Sequence, residues 1–217
     1  MLDNAWLIPL IPAVSFFVIL LFGKRLPRKG SEVGILALTA SFVLAVGGAL
    51  QWIGKEAPRE AVERHHTWFK IGGIDVGAGI HVDGLTVMML VVVTFISLMV
   101  HVYSTGYMHG DRRYTYFFAA LSLFTASMLL LVVADNTLQL LVGWELVGVC
   151  SFMLIGHWWE EHENSSAAIK AFITTKTGDV PFLFGIFALV LATGLTTSNI
   201  RTISGMAALE LASSSHQ

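Results

Sequence analysis

Four side chains in this largely apolar chain have the chemistry to hold and pass a proton: Glu145, Lys176, Asp179 and His101. Glu145 is the one carboxylate in the stretch 137–155, whose other polar residues are Thr137, Gln139 and Ser151. A run of that length crosses a hydrocarbon core of roughly 30 Å. A carboxylate at such depth is costly unless it is protonated, paired or facing a wet cavity, which marks Glu145 as a proton site. The structural alternative is a neutral glutamate hydrogen-bonded between two helices. Lys176 and Asp179 stand three apart on the next apolar segment, so they are neighbours on one helix surface and can ion-pair. With a rise of about 1.5 Å per residue, Glu145 lies roughly 12 Å from one end of its span, and Lys176 roughly 15 Å from the opposite end of the next. Antiparallel neighbours then carry an acid and a base near the midplane. A nearby cation favours the charged carboxylate and burial favours the neutral one, so displacing the cation would let Glu145 take up a proton. A permanent ion pair stapling the two helices is the competing expectation. His101 recurs with Thr94, Ser97 and Ser104 at three- and four-residue intervals, a polar stripe that should turn inward and either relay protons or bond across helices.

The elements that must position these groups are membrane helices. Of 217 residues, 55% are hydrophobic and 13% charged, against roughly a quarter charged in a soluble domain. Spans are expected at 5–22, 33–53, 85–107, 114–133, 137–155 and 166–191, forming one N-terminal bundle over 1–195. The first run follows an acid, not a basic segment, and reads as a retained span, not a cleaved signal. Basic loops after the first and third spans, with Lys24, Arg25, Arg28, Lys29, Arg112 and Arg113, predict an inner side there and an outer N-terminus. Between the second and third spans, Ile71, Ile74, Val76, Ile80 and Val82 alternate with Gly and polar residues, which predicts a short β-hairpin on the outer side, before an Asp83 cap. The connection at 134–136 is so short that the fourth and fifth helices must be antiparallel neighbours. Pro181 should kink the sixth helix just beyond Lys176 and Asp179. The tail 196–217 reads as amphipathic and weakly helical.

The same residues exclude other functions. A net charge of −2 without a basic tail excludes a strongly basic nucleic-acid binder. The single cysteine, Cys150, can form no internal disulfide and reads as core. Neither His65, His66 and His81 nor the run His157, Glu160, Glu161, His162 and Glu163 has metal-site spacing; the latter reads as an acidic loop with interfacial tryptophans. No cysteine cluster or glycine-rich dinucleotide turn is present.

Taken in order, HVYSTGYM, GWELVGVCSFMLIGHWW and KTGDVPF resemble subunit L, the large antiporter-like subunit of the proton-pumping NADH-quinone oxidoreductases (respiratory complex I), over essentially the whole chain. The resemblance implies an all-α antiporter-like half of about six transmembrane helices, with Glu145 matching the fifth-helix glutamate that pairs with a seventh-helix lysine and drives proton translocation. Asp179 matches the acid of the sixth-helix Gly-Asp motif, His101 the third-helix histidine, and Lys176 a position often held by arginine. It further implies a bacterial inner-membrane location, neighbouring antiporter-like and other membrane subunits as partners, no cofactor in this chain, and NADH, FMN, iron–sulfur clusters and quinone in partner subunits. The chain would then be one subunit of a proton-translocating NADH:quinone reductase, holding no redox residues itself. The family continues through a seventh helix, an inverted repeat and a lateral helix, so the chain is expected to be a fragment. A subunit of a Na⁺/H⁺ antiporter complex or membrane-bound hydrogenase, or a non-transporting assembly fragment, is the alternative.

Overall fold

The computed structural model describes residues 2–54, 61–71 and 74–192; the amphipathic reading of 196–217 lies outside them. Among the described residues the long helices are α1 (Leu7–Phe22), α2 (Ser31–Ile53), α3 (Gly84–Tyr107), α4 (Tyr114–Val132), α5 (Thr137–Ile155) and α6 (His162–Ala192), with strands β1 (Val62–Ile71) and β2 (Ile74–Val82) between α2 and α3. All six helices are long and apolar enough to cross a membrane, so the chain is a multi-pass membrane protein. α4 is the most enclosed of them, α6 the least. It packs on α1, α3 and α5, while α1 also meets α2, α2 meets α3, and the principal neighbour of α6 is α5.

Caps and small residues explain much of this arrangement. Asp83 Oδ1 accepts from the Thr86 amide at 2.8 Å, the expected cap of α3, and Asn136 Oδ1 caps α5 by accepting from the Gln139 amide at 2.8 Å. Where apolar tails surround the bundle, association depends on close packing and interhelical polar contacts. A Cβ on Gly143 would stand 3.0 Å from the Leu131 backbone, so α4 and α5 approach through that glycine. Ser41 Oγ donates to the Ile8 carbonyl at 3.1 Å, joining α2 to α1. The polar stripe of α3 turns inward as expected: Thr94, His101 and Ser104 are buried, and Cys150 is buried too. Large apolar side chains such as Phe17, Val43 and Phe184 point outward, as lipid-facing residues do.

The β-hairpin is antiparallel, with Val62 opposite Val82 and His65 opposite Gly79. It docks on the connection between α4 and α5. The Gln139 carboxamide brackets Gly79, accepting from its amide and donating to its carbonyl, both at 3.0 Å. Asn136 Nδ2 donates to the Gly77 carbonyl at 3.1 Å, the His81 amide donates to the Val133 carbonyl at 3.0 Å, and His65 Nδ1 meets the buried Asp135 carboxylate at 2.6 Å. A Cβ at Gly79 would fall on that carboxylate and on the Arg64 carbonyl. Gly79→Val is therefore expected to undock the hairpin at a cost of about 1–3 kcal/mol, as overpacking does. Limited proteolysis of membrane vesicles checks this: the variant should be cut between Val62 and Val82 where the parent resists.

The start of α6 departs from the sequence expectation. α6 begins at His162, four residues before the expected start. Glu163 in its first turn explains the earlier start, since an acid there is stabilised by the positive end of the helix dipole. α6 also continues through Pro181 to Ala192 as one helix. The proline supplies no N–H to the Thr177 carbonyl one turn earlier.

Candidate functional site

Glu145 on α5 and Lys176 with Asp179 on α6 form one cluster at the α5–α6 contact. Glu145 and Gly148 share a face of α5, being three apart. A Cβ on Gly148 would lie 3.6 Å from Lys176 Nζ, so the glycine leaves room for the ammonium beside the helix. Lys176 Nζ donates to Glu145 Oε2 and, at 2.8 Å, to Asp179 Oδ2, while standing 5.3 Å from the Phe172 ring centroid. Trp144 Nε1 donates to the other Asp179 oxygen at 2.6 Å. Asp179 is thus held from both sides and is 6% exposed, whereas Lys176 and Glu145 are 30% and 38% exposed.

This arrangement is an ammonium shared by two carboxylates on different helices. The Asp179 carboxylate accepts from the Trp144 indole, which can only donate, on one oxygen and from Lys176 on the other. Glu145 has no second donor among the hydrogen bonds of the described residues.

Because α6 begins at His162, Lys176 stands about 21 Å from the helix start by the rise per residue, not the 15 Å expected. The direct contact with Glu145, about 12 Å into α5, shows that the first turn of α6 projects beyond the end of α5. His101 is elsewhere. It is fully buried where α3 faces α2 and α4, with Nδ1 2.9 Å from the Ser97 carbonyl and Nε2 3.4 Å from Ser122 Oγ. A carbonyl can only accept, so Nδ1 carries the proton and Nε2 accepts from the serine. A Cβ on Gly34 of α2 would sit 3.1 Å from the ring. The contacts of His101 connect three helices and do not include Glu145, Lys176 or Asp179.

The sequence reading missed Trp144, and it also missed a clasp at the end of the bundle opposite the hairpin. Asp111, between α3 and α4, accepts from Trp158 Nε1 at 2.8 Å, faces His157 Nε2 at 3.3 Å and accepts from the Arg113 amide at 2.6 Å. Arg113 also pairs with Glu160 and lies 4.0 Å from the Trp159 ring centroid. His157 is buried, so the expected acidic surface loop is in part a packed joint. Burial pushes the Asp111 carboxyl up, but the donors from Trp158, Arg113 and His157 outweigh it and hold it below the usual carboxylate range. A carboxyl lowered on folding contributes stability that is present above its unfolded value and is lost as pH falls through the folded one. Protease resistance of this joint is therefore expected to hold from pH 7 to about 5 and to fail only below about 4. Asp111→Asn, which keeps the shape and loses the charge, should loosen it by about 1 kcal/mol from pH 7 to about 5, and the difference from the parent should vanish as pH falls below about 4.

His65 bonds Asp135 and His81 bonds Glu63. Among the described residues no group of three or more His, Cys, Asp or Glu side chains is arranged to hold a metal.

Comparison with known proteins agrees with this architecture. Residues 68–118 match the family described as NADH-ubiquinone oxidoreductase (complex I), chain 5 N-terminus, and residues 134–217 match the NADH:quinone oxidoreductase/Mrp antiporter transmembrane family. The chain is 44% identical to F(420)H(2) dehydrogenase subunit L of Methanosarcina mazei, over 94% of this chain and 28% of that protein. It is 41% identical to NADH-quinone oxidoreductase subunit L of Neisseria meningitidis, over 86% of this chain and 28% of the relative. With the Mycobacterium tuberculosis subunit L the identity is 35%, over 92% and 30%. The chain thus spans under a third of the length of these relatives. In fold it is similar to a chain of the membrane-bound sulfane sulfur reductase, an archaeal respiratory membrane complex, with a TM-score of 0.80 at 15% identity over 94% of this chain and 40% of that one. By these matches the chain belongs to the complex I/antiporter-like membrane family, the NADH:quinone oxidoreductase/Mrp antiporter transmembrane proteins, and it is similar to subunit L.

Proposed function

We propose that this chain moves protons across the membrane through Glu145, Lys176 and Asp179, driven by electron transfer in other subunits of its complex. The observation that carries the reading is the position of Lys176 between two carboxylates on different helices. When the ammonium sits on Asp179 alone, Glu145 loses its counter-charge in an apolar setting and takes up a proton; when it returns, the proton is released. Trp144 sets the balance by holding Asp179 in place. His101 is assigned to cross-helix support, because both of its ring nitrogens are engaged away from the cluster.

The redox cofactors, NADH or F(420)H(2) as donor, flavin, iron–sulfur clusters and quinone, belong in this reading to partner subunits, and neighbouring antiporter-like subunits flank the chain. The basic end with Lys24, Arg25, Arg28, Lys29, Arg112 and Arg113 faces the interior of a prokaryotic cell, and the hairpin faces outward. The 44% identity to a subunit of the F(420)H(2) complex keeps that donor beside NADH; proton movement by the cluster is the same for either.

Asp179→Asn tests the proposal in vesicles containing the whole complex, with proton movement and electron transfer recorded together. Loss of the anionic seat should leave electron transfer running and lower the protons moved per electron pair severalfold. An unchanged ratio would reduce the cluster to a helix staple.

A further inference from the structure

At the end of the bundle opposite the hairpin lies a cavity of about 680 Å³, within the roughly 300–1,000 Å³ of small-molecule sites. Its walls are the α1–α2 connection, the first turns of α2, the last turns of α3 with the connection that follows, and the first residue of α4. Four donors converge on it from these segments: the Arg28 guanidinium, the Lys29 ammonium, the His109 ring and the Tyr114 hydroxyl. Among the described residues none of these four side chains has a hydrogen-bond or ion-pair partner. Tyr114 is 9% exposed, so its hydroxyl is a donor that the packing around it leaves unused. The acid in the lining, Glu32, is turned into the wall. Its Oε1 accepts from the Arg28 amide at 3.2 Å, and its Oε2 is buried.

The backbone at this wall is strained. Lys29 has φ 53°, the left-handed region, and among the described residues it is the one residue there that is not glycine. Glycine would adopt that conformation without a Cβ penalty. The turn is held by Thr115 Oγ1, which donates to the Lys29 carbonyl at 3.0 Å, and by Gly30, where a Cβ would stand 2.8 Å from Ile19. Strain fixed in this way by its surroundings is characteristic of ligand clamps.

Charge and shape define the ligand. With Glu32 turned away, the cavity presents two unpaired cations and a hydroxyl donor, a set that suits an anion with several acceptor oxygens. The planar fork of arginine and the point charge of lysine both match phosphate. Ile35 and Val102 complete the wall and give apolar surface for the organic part of the ligand. We propose that this cavity binds a phosphate ester, with its phosphate at Arg28, Lys29 and Tyr114. Gly110, also in the lining, precedes Asp111, so the bound ester ties the α1–α2 connection to the joint that holds the start of α6.

The test uses the full-length subunit in its complex, lipid-depleted in dodecyl maltoside, with acylation by acetic anhydride read lysine by lysine by mass spectrometry. Lys24, in the same connection but outside the cavity lining, is the internal control. Phosphatidic acid carries the phosphate with acyl chains, glycerol 3-phosphate carries it without them, and diacylglycerol has the chains alone. One or both phosphates should slow acylation of Lys29 relative to Lys24 about fivefold at about four times the half-saturating concentration. Diacylglycerol should not, and Arg28→Gln with Tyr114→Phe should remove the protection. Protection by glycerol 3-phosphate assigns the site to a soluble ester, and protection by phosphatidic acid alone assigns it to a lipid headgroup; either upholds the phosphate site. Equal protection of Lys24, protection by diacylglycerol, protection that survives the double variant, or none from either phosphate would overturn it.

Discussion

Replacing Glu145 by Gln is expected to stop proton movement while the complex still assembles and transfers electrons. The amide keeps the size of the carboxyl and a hydrogen-bonding oxygen for Lys176 Nζ, so the α5–α6 contact survives. It cannot bind or release a proton near neutral pH. Protons moved per electron pair by this subunit should fall by an order of magnitude or more, since a proton path without its titrating group has no substitute at hand in the described cluster: Asp179 is already committed to Trp144 and Lys176. Electron transfer and proton uptake measured in the same vesicles check this, with assembly followed by native gel. An unaltered ratio would return Glu145 to the role of interhelical glue.

The second large effect is expected for Lys176→Met. Methionine fills the volume of the lysine stem but removes the charge shared by Glu145 and Asp179. Breaking a fully buried pair costs about 3–5 kcal/mol because one charge is left alone. Here the figure should be nearer 1–3 kcal/mol, the cost of an under-satisfied polar group, because Lys176 and Glu145 are about a third exposed. Proton movement should be lost as completely as in Glu145→Gln. The double variant Lys176→Met with Glu145→Gln should be more stable than Lys176→Met alone, since the second change removes the orphaned charge. Thermal unfolding of the purified complex in detergent, run as a double-mutant cycle, gives that coupling directly. Additive destabilisation would mean that the two side chains do not share a charge in the assembled protein.

The spans and the three charged residues that meet at the α5–α6 contact were legible in the sequence for one reason: the bilayer makes both apolar length and isolated charge conspicuous. Glu145 stands alone in its span, and Lys176 and Asp179 are neighbours by helical spacing, so the trio could be read before any contact was seen. The hairpin was legible from alternation and Asp83 from its place before an apolar run. What hydropathy does not encode is the rotation of one helix against the next. Trp144 is adjacent to Glu145 in sequence and nothing in its spacing singles it out, yet its N–H reaches Asp179, 35 residues away on α6. His157 read as part of a solvated acidic loop, yet it is buried against Asp111, 46 residues earlier. Likewise, 134–136 read only as a tight connection, while Asp135 and Asn136, with Gln139, dock the hairpin. In each case a polar group finds its partner across the fold, which hydropathy does not record. The start of α6 was misplaced because polar residues at a helix end look like loop, although Glu163 favours a helix N-terminus.

The central claim is that Glu145 changes protonation during turnover as Lys176 moves. Infrared difference spectroscopy of the intact complex, resting against turning over, observes that directly as a protonated-carboxyl band. The account predicts a band in the parent protein that disappears in Glu145→Gln and is altered in Lys176→Met. A complex that moves protons at its normal ratio with no carboxyl band sensitive to either substitution would contradict it.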